Sequence, residues 1–232
     1  MRRELIALLL ALSSLSWAAP GSGEALQGDV GRRASSREQD LAPTPAFSEE
    51  SARVAQWIHK SNDNGSLPYI IVDKKAAALH IFSPEGETLA SAPILIGAAI
   101  GDDASPGVGA KSLAQVGPAE RTTPSGRYLA KFGTAFGKQK VLWVDYATSV
   151  ALHPIPVGNK KERRRQRMLS QTIDDNRITF GCINVPAQLY SRSVRPLFQK
   201  RGGYVYVLPD TKPLEVVFPR LRLLPFLSAN SS

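Results

Sequence analysis

From Leu67 to Leu208 the chain is laid out as short β-branched, aromatic and aliphatic runs cut by turns, and this pattern limits the possible folds most. Strands are expected at 69–72, 77–82, 88–96, 127–132, 140–146, 149–153, 177–180 and 204–208, with 214–218 as one more edge. The Gly/Ala/Asp-rich stretch 97–117 reads as a long loop. The expected fold is mainly β with a few helices, arranged as a sandwich-like or partly closed sheet. With 43% hydrophobic and 21% charged residues over 232 positions, the chain can bury a core, which excludes wholesale disorder.

Three stretches switch to helical spacing. Ser48-Glu49-Glu50 offers a cap and acids for the positive end of a helix dipole, ahead of the stripe Val54, Trp57, Ile58, and the helix should end near Asn62. Asn159-Lys-Lys-Glu162 resembles a capping-box start for a basic helix reaching about Gln171. Residues 186–200 read as mainly helical, with Pro196 expected to break or kink them. The organisation expected is a leader at 1–18, a flexible tether at 19–46, a helix and linker at 47–66, a main domain at 67–219 and a tail at 220–232.

The leader follows from the first residues. A positive Met1-Arg2-Arg3-Glu4 precedes an apolar run and small residues, with Ser16 and Ala18 suited to a cut after Ala18, as in a secretory signal peptide. The apolar stretch 5–19 is 15 residues, short of the ~20 that span a bilayer, so no stable membrane span is expected. The protein is therefore read as exported, to the periplasm or cell envelope. Its charge of +9 becomes +8 once 1–18, with two Arg and one Glu, is removed. That excess favours anionic partners; export argues against nucleic acid and leaves attraction to anionic envelope surfaces. One cysteine excludes an intramolecular disulfide framework and a multi-cysteine zinc site, and neither a metal nor a cofactor is expected.

Several motifs fail. There is no Gly-x-Ser-x-Gly elbow and no His-Glu-x-x-His. Gly133-Thr-Ala-Phe-Gly137-Lys138 is too short for a phosphate loop and is followed by Gln139. The run 160–167 holds six cations and one acid, without interleaved aromatics, and reads as a solvated helix face.

The chemistry concentrates in Arg177-Ile-Thr-Phe-Gly181-Cys182-Ile-Asn184-Val-Pro186, a strand, a turn holding Cys182, and a helix start. A helix terminus, Arg177 and a contacting imidazole would each favour a thiolate, the imidazole most. His153, at a strand end, is the candidate base; spacing alone also allows, and favours, a strand-end residue bonded to backbone. His59 reads as a surface residue and His80 as sheet packing.

Thr123-Pro124-Ser125-Gly126, then His153, then Thr179-Phe180-Gly181-Cys182-Ile183-Asn184 resembles the L,D-transpeptidase (YkuD-type) catalytic domain across roughly 67–208. The resemblance implies a YkuD-like partly closed sheet with Cys182 as nucleophile and His153 as base. It implies an oxyanion turn at Gly181 and Thr179, and substrate contacts from Arg177, Asn184 and Phe180. The implied substrate is a peptidoglycan stem peptide, cut between diaminopimelate and D-Ala and joined to an amine. Water as acceptor would make a carboxypeptidase, and loss of activity would leave a wall-binding protein. Phe180 and the His153-Pro154 pair depart from the family pattern, and the basic insertion 158–171 lengthens the His-to-Cys interval as part of a lid.

Overall fold

The computed structural model describes residues 44–135 and 138–229. The leader at 1–18 and the tether up to residue 43 lie outside the described residues. Helix α1 (Glu49–Ser61) forms where its caps are written: Ser48 Oγ accepts the Ser51 N–H at 3.0 Å, and Asn62 closes the end at φ 51°.

Ten strands follow among the described residues: β1 (Tyr69–Asp73), β2 (Ala78–Phe82), β3 (Thr88–Pro93), β4 (Ile96–Gly97), β5 (Gly126–Thr134), β6 (Lys140–Asp145), β7 (Val150–Pro154), β8 (Arg177–Thr179), β9 (Ile183–Val185) and β10 (Gly203–Val207). Eight make one sheet in the order β3-β2-β1-β10-β5-β6-β7-β9, and β4 pairs with β8 in a second. A reciprocal backbone pair between Leu95 and Asn184, at 3.0 and 2.8 Å, ties the small sheet to β9 and nearly closes the whole. The expected mainly-β, partly closed sheet is the observed one.

Alternation along the strands builds two cores. Ile70, Val72, Val205 and Val207 enter one cluster with Ile94, Leu142, Leu152 and Ile183, while Tyr69, Ile71 and Tyr206 enter a second. The second cluster is roofed by Val54, Trp57 and Ile58 of α1. Full burial of each large apolar side chain contributes about 1.5–3 kcal/mol, so β1, buried along its whole length, is a principal source of stability.

Residues 214–218 are not an edge strand. Leu214–Val217 is a helical turn, α5, that buries Leu214 and, four positions on, Phe218 against the second core. Pro219–Leu223 and Leu224–Ala229, the latter α6, continue helically and bury Leu221 and Leu224 beside them. Before β10, α3 (Ala187–Leu189), a wide π-type turn (Tyr190–Val194) and α4 (Arg195–Phe198) run on from one another. The wide turn lies just before Pro196, which lacks the N–H a regular helix would use there, so the helix adapts instead of breaking. The basic segment holds a short turn (Lys160–Glu162) and helix α2 (Arg164–Met168), joined by Arg163 at φ 48°.

Candidate active site

Cys182 sits between β8 and β9, and β9 intervenes before the helix, which starts at Ala187. Three extended residues span about 10 Å, which keeps that helix end away from the sulfur. The turn is locked from two sides. Thr179 Oγ1 accepts the Gly181 N–H at 3.1 Å and donates to the Cys182 carbonyl at 2.6 Å. Thr123 Oγ1 donates to the Gly181 carbonyl at 2.8 Å and accepts the Gly97 N–H at 2.8 Å. Gly181 has φ +122°, and a Cβ there would stand 2.7 Å from the Thr122 carbonyl oxygen, so glycine alone fits without a shift. The Thr123-Pro-Ser-Gly126 turn is thereby a brace for the cysteine turn, with Tyr128 folded back onto the Pro124 and Ser125 carbonyls.

His153 lies on β7, in parallel register with β9, opposite Asn184 and so two positions along from Cys182. The half-buried sulfur faces the Ser149 carbonyl at 3.7 Å and accepts from the Ala151 N–H. Among the described residues no hydrogen bond joins His153 to Cys182. The ring is held elsewhere, with Nδ1 2.8 Å from the Pro154 carbonyl and Nε2 3.3 Å from Asn184 Nδ2. A carbonyl can only accept, so Nδ1 carries the proton, and the Nε2 lone pair meets the Asn184 amide donor. Asn184 is fully buried, and its Oδ1 accepts from Arg164 Nη1 at 2.6 Å.

The electrostatics differ from the sequence expectation of a thiolate. Burial pushes the Cys182 thiol up, against the opposing pull of the Ala151 N–H and the Arg164 charge. Burial pushes His153 down; the Pro154 carbonyl opposes this and Arg164 adds to it. Both shifts favour the uncharged forms at rest, a thiol and an imidazole whose basic Nε2 accepts from the Asn184 amide.

The other expected site residues are placed as follows. The Arg177 guanidinium is bound to Asp210 at 2.6 Å, 10% exposed, so its charge is already committed within the protein. Phe180 is half-buried under the Arg121 guanidinium, 4.3 Å from its ring centroid. His59 is exposed, whereas His80 is fully buried, bonded to Ser91 Oγ at 2.7 Å and stacked on Phe47. The sequence reading missed Arg121 and Arg164. Both are single members of stretches whose composition looks like ordinary surface, and their role depends on which way one side chain turns. Among the described residues no group of His, Cys, Asp and Glu is arranged to hold a metal ion, and no helix is long and apolar enough to cross a membrane.

No family model matches the chain, and no curated protein matches it. Solved structures similar to it include an L,D-transpeptidase from Xylanimonas cellulosilytica, at 14% identity over 76% of this chain and 69% of that one, with a TM-score of 0.36. The helical cell shape determining protein Pgp2 from Campylobacter jejuni matches at 14% identity over 79% and 64%, with a TM-score of 0.43. An L,D-transpeptidase from Enterococcus faecium matches at 17% identity over 60% and 49%, with a TM-score of 0.33. The chain thus spans less than two thirds of the last two structures' length. These likenesses are to proteins named as L,D-transpeptidases and as a cell shape determining protein; the functional reading rests on the residues of the site.

Proposed function

We propose that the protein is a cysteine-dependent peptidoglycan L,D-transpeptidase, exported to the periplasm or cell envelope. The observation that supports this most is the polarity around His153: a proton fixed on Nδ1 leaves Nε2 as a base, one strand away from a lone cysteine in a braced turn. The ordered motif set running from Thr123 to Asn184 resembles that family and supplies the substrate class.

In this reading the stem peptide enters beside the turn, the Asn184 amide gives up its bond to His153 Nε2, and the Cys182 thiol passes its proton to that nitrogen. The sulfur bonds to the diaminopimelate carbonyl carbon, giving a tetrahedral oxyanion. The Gly181 N–H is taken by Thr179, so the Cys182 N–H is the backbone donor assigned to that oxyanion. The carbon–nitrogen bond to D-Ala then breaks, and D-Ala leaves with the proton from His153. An amine of a second stem attacks the thioester, its proton returns through His153, and the thiol is regenerated as a new amide joins the stems.

The test is incubation of the mature protein with purified tetrapeptide muropeptide, followed by mass analysis. Cross-linked dimer with release of D-Ala supports the proposal. Loss of D-Ala alone assigns water as acceptor and makes the enzyme a carboxypeptidase. An unchanged substrate, with Cys182 intact and the protein folded, overturns the reading.

A further inference from the structure

We propose that Arg164, which comes from the basic segment and not from the cysteine motif, is a positioning residue of this site: it fixes the Asn184 amide, two positions along from Cys182, and through it the His153 ring. The inference rests on reading Cys182 as the nucleophile.

The geometry carries it. Arg164 opens α2 directly after Arg163 at φ 48°, a backbone reversal that separates it from the preceding turn. Its Nε pairs with Glu162 Oε2 at 2.5 Å, and its side chain is 15% exposed, while Arg163 and Arg165 on either side are exposed. Nη1 then reaches Asn184 Oδ1 at 2.6 Å. A guanidinium can only donate, so Oδ1 must face it and Nδ2 must face the imidazole. At the other end the Pro154 carbonyl can only accept. These one-way groups fix every donor in the chain Arg164 to Asn184 to His153 to Pro154.

The main chain does not require this arrangement. The Asn184 backbone is already held by Leu95 on both sides, and the core around it is apolar. What Arg164 adds is an amide orientation that ends on the basic nitrogen of the ring. The Arg164 charge, itself paired with Glu162, also acts on both His153 and Cys182. A cation there favours thiolate over thiol and neutral imidazole over imidazolium, the two forms that the first chemical step needs.

The experiment uses the full mature chain and two readouts that do not require turnover. Iodoacetamide alkylation of Cys182 is followed against pH in the parent, Arg164→Met and Arg164→Lys, with Cys182→Ser as blank. Imidazole nitrogen NMR, assigned by the signal lost in His153→Gln, reads the tautomer. Arg164→Met should alkylate about fivefold more slowly at pH 7, with its pH profile displaced upward. Its His153 should change from a single Nδ1-protonated form to a mixture. Arg164→Lys should recover most of the alkylation rate, because the charge remains, but not the single tautomer. A parent-like alkylation profile and a parent-like imidazole spectrum in Arg164→Met overturn the proposal. Should that variant not fold, Arg164→Lys decides alone: an unaltered tautomer refutes the positioning role. An Arg164-dependent thiol in a protein inert toward muropeptides would sink the transpeptidase reading while leaving this one standing, and the reverse result would do the opposite.

Discussion

The Thr123 hydroxyl stands between Gly181 and Gly97, giving its proton to the carbonyl of the first and taking the N–H of the second, each across 2.8 Å. One side chain thus ties the loop after β4 to the cysteine turn. Thr123→Val keeps the shape and removes both bonds, leaving two buried backbone groups without partners. A cost of about 3 kcal/mol is expected in urea unfolding, with turnover falling further than stability, whereas Thr123→Ser should restore both. A variant as stable and active as the parent would mean that the turn needs no brace.

Gly181→Ala tests the turn from inside. The new Cβ meets the Thr122 carbonyl oxygen at 2.7 Å in a backbone of φ +122°, so the turn must shift. The strain costs about 1–3 kcal/mol, which a domain with two apolar clusters survives. Turnover should drop by roughly a hundredfold, the scale expected when a reacting atom is misplaced by about 1 Å. Muropeptide turnover compared with the thermal midpoint separates the two effects; equal, small losses in both would argue against a positioned nucleophile.

Much of this was legible in the sequence, and what was not has a common cause. The strands from 69 to 208 and the capped helix α1 are written in local pattern, so each appears close to where expected. Residues 214–218 read as a strand because Val216 and Val217 suggest one, while the burial follows the four-residue spacing of Leu214 and Phe218. Cys182, His153 and the Thr123 turn stand out by residue type and order. Arg164 does not, because a run of six cations reads as a solvated face until one of them is seen to turn inward. Lys74, buried among Asp102, Asp210 and the Thr123 carbonyl, was equally invisible, since its partners come from remote parts of the chain.

The thiol itself should be quiet at rest. Burial raises it and the imidazole is not bonded to it, so alkylation of Cys182 at pH 7 should be slower than that of a free cysteine. The rate should keep rising with pH beyond the ordinary thiol range near ~8.5, because the folded group ionises later than the free one. Cys182→Ala should remove both alkylation and turnover with the fold kept. Rapid alkylation already levelled at pH 6 would instead reveal a resting ion pair.

Asp102 gives the fold an acid limit. Burial alone would raise its carboxyl, but the Thr211 hydroxyl and the backbone N–H groups of Lys212, Asp210 and Thr211 outweigh that and hold it well below the usual carboxylate range. It also pairs with Lys74 at 3.1 Å, both side chains essentially without solvent contact. A folded pKa below the unfolded value of ~3.9 contributes stability that is complete above that value and is lost as pH falls through the folded one. Asp102→Asn keeps the size, removes the charge facing Lys74, and should cost about 3–5 kcal/mol at neutral pH. The gap between parent and variant in urea midpoint should stay constant from pH 7 to about pH 5 and narrow steadily below about pH 4, because the parent then loses what the variant never had. A gap that persists unchanged down to pH 2 would show that this carboxylate is not what ties the loop to the end of β10.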